Sequence, residues 1–361
     1  MRSLARKILS RFAAVAISTL MMLFLLDVIV RWIPGAPTTR LPKPLFMTGY
    51  KTANSLQYHD YEYPQQKGPD EFRILVLGDS FSEGTSVDFE DTYPKRLERY
   101  LNYSGNKNGV IYQVINLSKG GRSTPLEAKL IKRYVKYFNP DMVILGYCLN
   151  DAEDSDNAAS LLHLREECYY YHFRKPDGWG GFLYNHSAVA RLIFRRIFAY
   201  NSHRGYKRYY HKLYKSNYSG WQKCQEALSE LGNFSRSSNM PLVVLIFPLF
   251  SFDIGDDYPF ADIHASIHNV LKKAGLPCID LLSHYKNIDH IQLEVHPEVD
   301  PHPSEIAHRI AAEVIFIRMA KRGMLGPIMK KRGRSAIFPD GPAHYDPLLL
   351  RSQQNNDLSP P

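Results

Sequence analysis

Apolar runs alternate with amphipathic helical segments between residues 71 and 322, and this alternation predicts an α/β domain built on a parallel sheet covered on both faces. Two further observations support that class. The runs at 73–77, 142–147 and 241–247 are apolar almost without interruption, as strands buried on both faces are. Small and polar residues follow the runs at once, as they do where parallel strands end at a ligand-binding edge.

The elements follow in order. Residues 1–11, MRSLARKILSR, carry Arg2, Arg6, Lys7 and Arg11 and no acid. Residues 12–30, FAAVAISTLMMLFLLDVIV, carry one charge, Asp27. At about 1.5 Å per residue this run nearly crosses a hydrocarbon core of about 30 Å. The basic flank marks the N-terminus as cytoplasmic. The sequence therefore predicts a single-pass membrane anchor with the rest extracytoplasmic, in the periplasm if the cell is Gram-negative. A cleaved signal peptide would have a shorter core and a small-x-small site. Here Arg31-Trp32-Ile33-Pro34 follows, Trp32 suits a membrane interface, and Ala36 before Pro37 is a poor place to cut. A buried soluble helix fits less well, because the run is apolar on every side.

Residues 31–70 are rich in Pro, Tyr and polar residues without a period and read as a linker. The globular domain is expected over 71–325. Its first strand is 73–77. A helix is expected over 91–101, with Asp91 as N-cap and Pro94 in its first turn. A second strand lies at 111–116. Thr124-Pro125-Leu126-Glu127 combines a cap, a first-turn proline and a Glu three after the cap, so a helix starts there and runs to Phe138. Strands follow at 142–147, 241–247 and 277–281. The amphipathic segment 304–322, with Ile306, Ile310, Val314 and Ile317 on one face, closes the domain.

After the first strand come Gly78, Asp79 and Ser80; after the second, Asn116 to Gly121; after the third, Asn150 and Asp151. Asp300 and His302 precede the last helix. Each has a bland reading. Ser80 could be a turn residue, Gly120 and Gly121 could relieve a tight turn, Asn150 could cap the next segment, and His302 before Pro303 could be a loop histidine. All of them at one sheet edge fit acyl transfer better. Ser80 needs a base, for which His302 is the candidate, and Asp300 can orient that imidazole. The N–H of Ser80, the N–H of Gly121 and the Asn150 amide can supply an oxyanion hole, with Gly120 an alternative to Gly121. Gly121 also lies just ahead of a helix N-terminus, which adds positive potential.

Gly78-Asp79-Ser80 with Gly84, the Asn116…Gly121 loop, Gly146…Asn150-Asp151 and Asp300-x-His302-Pro303 resemble the four blocks of the SGNH (GDSL-type) hydrolases. The resemblance spans roughly residues 71 to 320 and is specific as an ordered set. It implies a flavodoxin-like three-layer α/β/α fold, a Ser80–His302–Asp300 triad, an oxyanion hole of Ser80, Gly121 and Asn150, and neither metal nor cofactor. The common family spacing is Asp-x-x-His, and Val299 stands at that acidic position here; the closer Asp300-x-His302 spacing resembles a variant of some members. His296 and His308 read as structural. The serine lies in G-D-S-F-S and not in the G-x-S-x-G elbow of α/β-hydrolases.

Residues 152–235 form a basic, Tyr-rich insertion. Its part 191–215 holds eight Lys or Arg and no acid. It reads either as a solvated face or as a cap that meets sugar, anionic substrate or anionic lipid. Net charge +9 favours anionic partners in general. Nucleic acid is not expected, since an anchored extracytoplasmic domain rarely meets it. Residues 326–361 read as a disordered tail. No C-x-x-C pair occurs among Cys148, Cys168, Cys224 and Cys278, which argues against a zinc ribbon or redox motif. Cys148 and Cys278 read as buried thiols, and Cys168 and Cys224 could pair in an oxidising compartment. The expected function is that of a serine esterase acting on O-acyl or O-acetyl groups of an envelope polysaccharide or lipid. The alternatives are an O-acyltransferase with the same triad and a catalytically silent glycan- or lipid-binding module.

Overall fold

The apolar runs become the central strands. The computed structural model describes residues 2–32, 53–105, 109–168, 176–297 and 300–321. In chain order its elements are α1 (Arg2–Trp32), β1 (Glu71–Gly78), α2 (Ser80–Glu83), α3 (Tyr93–Gly105), β2 (Ile111–Asn116), α4 (Thr124–Phe138), β3 (Met142–Tyr147), α5 (Ala158–Glu167), α6 (Gly178–His186), α7 (Ala188–Leu213) and α8 (Ser219–Ser237). Then come β4 (Leu242–Ile246), α9 (Ala261–Ala274), β5 (Cys278–Asp280), α10 (His290–Leu293), β6 (Glu294–His296), β7 (Asp300–Pro303) and α11 (Glu305–Lys321).

The chain divides into two compact units. One comprises Met1–Pro44 with Leu162–Tyr209, the other Leu45–Leu161 with Tyr210–Pro361. In the second unit five strands pair in parallel in the order β2-β1-β3-β4-β5. Strand β1 lies between β2 and β3: the chain moves outward from it to the edge strand β2, then crosses back to β3. Because such crossovers are right-handed, α3 and α4 fall on opposite faces. Helix α11 packs beside α3, while α8 packs between α4 and α9. This is the three-layer α/β/α arrangement of a doubly wound sheet. All six residues of β3 are buried, as a strand covered on both faces requires.

Several local expectations change. The helix expected from Asp91 starts at Tyr93. Asp88 caps a short 3₁₀ turn over Phe89–Asp91 instead, and Asp91 pairs with Arg96 at 2.7 Å. The first N–H of α3, that of Tyr93, donates to His308 Nδ1 on α11 at 3.2 Å. At α4, Ser123 precedes the helix and no side chain caps it; Glu127 turns inward, fully buried, and does not close a capping box. The buried face of α11 includes Ile310 and Val314 and extends to Ala307, His308, Ala311 and Ile315.

The expected linker is also changed where it is described. Residues 33–52 lie outside the described residues, as does the expected tail 326–361. Residues 53–70 fold onto the α/β unit. Asn54 Oδ1 accepts from Tyr58 N at 3.0 Å, and the Tyr58 and Tyr134 hydroxyls meet at 2.9 Å. Asp60 pairs with Lys95 at 2.6 Å, both buried, and accepts the Asn116 N–H at 2.5 Å. Burial pushes the Asp60 carboxyl up to about 7 against the attraction of Lys95. The expected insertion 152–235 divides: Leu162–Tyr209 belongs to the first unit, while α8 is a layer helix of the second. None of the four cysteines is in a disulfide, so Cys168 and Cys224 are not paired; Cys148, Cys168 and Cys224 are buried and Cys278 is half-buried.

In the first unit the end of α1 meets the start of α7. The Ser187 hydroxyl and the Val189 N–H both donate to Asp27 Oδ1, at 2.7 and 3.0 Å. Arg31 pairs with Asp27 at 2.8 Å and donates to the His186 carbonyl at 3.1 Å. Helix α1 carries a 22-residue stretch, Arg11–Trp32, long and apolar enough to cross a membrane or to serve as a signal sequence.

His308 yields a stability prediction. Burial, then the charges of Arg96 and His302, lower its pKa from 6.5 to about 3. Between those values the unfolded chain binds the proton and the folded chain does not. Its contribution is therefore complete above 6.5 and is lost as pH falls. His308→Gln keeps an acceptor for the Tyr93 N–H but does not titrate. The loss of unfolding free energy between pH 7 and pH 5 should shrink by about 2 kcal/mol in this variant. Denaturant titrations at the two pH values measure it; equal losses in both proteins would contradict the assignment.

Candidate active site

Ser80 is the first residue of α2, separated from the end of β1 by Asp79 alone. Its position follows from how closely α2 lies on the sheet. A Cβ on Gly146 would sit 1.9 Å from Ser82 Oγ, and one on Gly78 would sit 2.5 Å from it. No larger residue fits at either strand end. Ser82 is buried, its hydroxyl accepts from Tyr93 OH at 2.9 Å, and its carbonyl accepts from the Asn116 amide at 2.9 Å. Asp79 caps the turn, its Oδ1 accepting the Phe81 N–H at 2.9 Å. Gly84 ends it at φ 78°, a left-handed conformation that suits glycine.

The loop after β2 comes up beside Ser80. Lys119 N donates to the Gly78 carbonyl at 3.0 Å, and Gly120 N donates to Glu83 Oε2 at 2.7 Å. A Cβ on Gly120 would lie 3.4 Å from Ser80 Cβ. Gly121, at φ 77°, has open space around it. The Gly120 N–H is thus committed to Glu83, which separates the two glycines that the sequence leaves as alternatives.

Asn150 lies in the 3₁₀ turn Leu149–Ala152 after β3, and its side chain hydrogen-bonds the carboxyl of Asp79. Asp79 is fully buried. Burial raises its pKa, opposed by the bonds from Phe81 and Asn150 and by the charge of His302. Asp151, also fully buried, accepts the Cys148 N–H at 2.8 Å. Burial, then Glu127 and Asp79, push the Asp151 carboxyl well up. Glu127 is pushed up by burial and by Asp79.

Asp300 and His302 do not lie in an irregular loop but on β7, paired antiparallel with β6. His302 Nδ1 meets Asp300 Oδ1 at 2.5 Å, and its backbone N–H donates to the same oxygen at 3.2 Å. The Ser86 hydroxyl donates to Asp300 Oδ2 at 2.7 Å. Burial alone would raise the Asp300 pKa, but the bond and charge of His302 and the Ser86 hydroxyl hold it below the usual range. With Nδ1 engaged, Nε2 is the nitrogen left to take a proton. The His302 ring stands edge-on to Phe81, centroids 5.7 Å apart, and Phe81 packs on Phe247 and Phe250 behind it. Among the described residues, the Ser80 hydroxyl bonds to Asp79 Oδ2 at 3.5 Å, longer than a firm O–H···O bond.

The structure thus joins Asp300 with His302, Asp79 with Asn150, and Ser80 with the Gly120 backbone. It does not join Ser80 Oγ to His302 by a hydrogen bond. Sequence reasoning missed Ser86 and Glu83 as supports and Asp79 as the partner of Asn150. Ser86 and Asp300 are 214 residues apart, and no local pattern links them. His296 lies exposed at the end of β6, and His308 is buried under α3.

Residues 74–185 match the family model described as GDSL-like Lipase/Acylhydrolase. No curated protein matches the chain. Among solved structures, TesA is 15% identical, covering 71% of this chain and 99% of its own, with a TM-score of 0.39. The psychrotrophic esterase EstA from Pseudoalteromonas sp. is 13% identical, covering 69% and 97%, with a TM-score of 0.36. A two-domain esterase active on acetylated mannans is 13% identical, covering 72% and 50%, with a TM-score of 0.41.

The two loop glycines should respond differently to alanine. Gly121→Ala forces a side chain into a left-handed conformation and should cost about 1–2 kcal/mol. Gly120→Ala meets only a carboxylate oxygen at 3.2 Å and the Ser80 Cβ, and should lower the unfolding midpoint less. Thermal unfolding of both variants compares them, and the reverse order would show that the loop is built differently.

Proposed function

We propose, from the premise that the chain is a serine hydrolase with a GDSL-like lipase/acylhydrolase domain, that it cleaves O-acyl esters with Ser80, His302 and Asp300 as its triad. The observation that carries this reading is the 2.5 Å His302–Asp300 pair, held on β7 against the residue that follows Ser80. In the proposed reaction Ser80 Oγ attacks the ester carbonyl as His302 Nε2 takes its proton. Asp300, ionised and bonded to Nδ1, steadies the imidazolium that forms. The tetrahedral oxygen is received by the N–H groups of Ser80 and Gly121 and by the Asn150 amide. An amide NH₂ has two protons, so Asn150 can keep its bond to Asp79 and still donate to the oxyanion. The intermediate collapses, His302 returns the proton to the leaving alcohol, and an acyl-Ser80 remains. Water activated by the same histidine then releases the acid.

An O-acyl, and in particular O-acetyl, group on an envelope polysaccharide or lipid suits a domain held at a membrane by α1. In this reading α1 is the anchor, the N-terminus is cytoplasmic, and the catalytic unit faces outward. The basic first turns and the apolar length of α1 support that orientation. If a sugar hydroxyl reaches the acyl-enzyme before water does, the same residues perform transfer.

Turnover of p-nitrophenyl acetate by the full chain in detergent tests the proposal. Ser80→Ala and His302→Ala should each lose several orders of magnitude in kcat, and Asp300→Asn about 10⁴-fold. Asn150→Ala should lose about 10²–10³-fold. Undiminished turnover in Ser80→Ala would sink the triad. Failure of a fluorophosphonate to label Ser80 would instead point to a silent binding module.

A further inference from the structure

The first unit presents two exposed apolar stripes that the ester chemistry does not use. On α6, Trp179, Phe182, Leu183 and His186 recur at spacings of three, one and three residues and share one side of the helix. Trp179 is 83% exposed, Phe182 52% and Leu183 48%, while Gly181 and Tyr184 on the other side are buried. The exposed rings also pack on each other: Trp179 on Phe182 at 5.9 Å, and Phe182 on His186 at 4.6 Å. On α7, Ile193, Ile197 and Tyr200 form a second exposed stripe at spacings of four and three. Arg204 continues it, its guanidinium over the Tyr200 ring at 5.4 Å and bonded to the hydroxyl at 2.9 Å.

Two observations say what covers these stripes. The first is their depth relative to α1. The junction of α6 and α7 is tied to the last turns of α1: Ser187 and Val189 bond to Asp27, and the His186 carbonyl bonds to Arg31. The apolar span of α1 ends at Trp32, itself 83% exposed. Trp32 and Trp179 therefore belong to the region where a spanning helix leaves the hydrocarbon, the depth at which tryptophan concentrates. The second is charge. Helix α7 has no acidic residue from Ala188 to Leu213, and Arg196, Arg204, Lys207 and Arg208 on it are exposed. On α7 these cations stand on the same exposed side as Ile193, Ile197 and Tyr200, so apolar and cationic side chains share the face that an anionic bilayer surface would meet.

We infer that α6 and α7 form an interfacial platform that rests on anionic phospholipid where α1 emerges, with Trp179, Phe182 and Leu183 seated among the headgroups. The platform adds a second contact to the anchor, so that the unit lies against the lipid and is not merely tethered. This inference rests on α1 spanning the bilayer and is independent of the chemistry at Ser80.

The test uses the full chain reconstituted in vesicles of phosphatidylcholine alone or of equal parts phosphatidylcholine and phosphatidylglycerol, each with and without brominated acyl chains. The Trp179 signal is the difference between the parent and Trp179→Phe. The expected result is bromolipid quenching and a blue shift of Trp179 in the anionic vesicles, with protection from aqueous iodide. Both effects should weaken in phosphatidylcholine and in the double variant Arg196→Glu/Arg204→Glu. Trp179 open to iodide in both vesicles would overturn the platform. Shielding from iodide without bromolipid quenching would overturn it in favour of a second copy or another protein on this face. Equal quenching in both vesicles would overturn the requirement for anionic lipid. Flotation of the parent with the vesicles, resistant to alkaline carbonate, reports α1 separately; its absence would remove the anchor itself.

Discussion

The close approach of α2 to the ends of β1 and β3 sets the position of Ser80, around which the rest of the candidate site is arranged. Ser82 sits where a Cβ on Gly78 or Gly146 would have to be, and Tyr93 and Asn116 hold it there from α3 and β2. The two strands meet at the switch point of the sheet, where the chain has gone outward to β2 and returned to β3. The crevice between their ends is a consequence of topology. The glycines let a turn of helix settle into it, so that Ser80 emerges at its rim. The β2 loop, bonded to Gly78 and Glu83, and the β3 turn, bonded to Asp79, then surround a serine whose place is already decided.

The carboxyl groups around that serine fall into two classes by environment alone. Asp79, Glu127 and Asp151 are buried, and burial pushes all three upward, with the charge of Asp79 adding to the rise at Glu127 and Asp151. Asp300 is less deeply buried, has His302 and Ser86 as partners, and is held low. The lowered acid is thus the one beside the histidine, and the raised acids are the more deeply buried ones. In the proposed ester cleavage, that division leaves Asp300 charged to orient the imidazole of His302.

Much of the α/β unit was legible in the sequence because burial on both faces writes itself as an unbroken apolar run. Strands β2 and β3 have the predicted limits, and β1, β4 and β5 differ by a residue or two at their ends. The helices that flank them were legible from period and punctuation. What stayed hidden depends on contacts between distant residues. The start of α3 was misplaced because its cap comes from His308, 215 residues away. Glu127 looked like half of a capping box because its spacing from Thr124 was right, but its surroundings draw it inward. The β6–β7 pair is too short and too rich in proline to carry a strand signal, although it holds Asp300 and His302. The fold of 53–70 rests on single contacts such as Asp60 with Lys95, which have no period at all.

The cap that Asp27 provides for α7 has a consequence in time. Asp27 and Ser187 are 160 residues apart, and at about 5–20 residues per second the ribosome needs roughly 8–30 s to make the distance between them. For that interval the carboxylate at the end of an apolar helix has no distant partner. Arg31, one turn further on, is made almost at once and pairs with it at 2.8 Å. When α7 is complete, Asp27 Oδ1 receives Ser187 and Val189 while Oδ2 stays with Arg31. The arginine thus serves as an escort for the acid during synthesis, and it remains part of the finished joint.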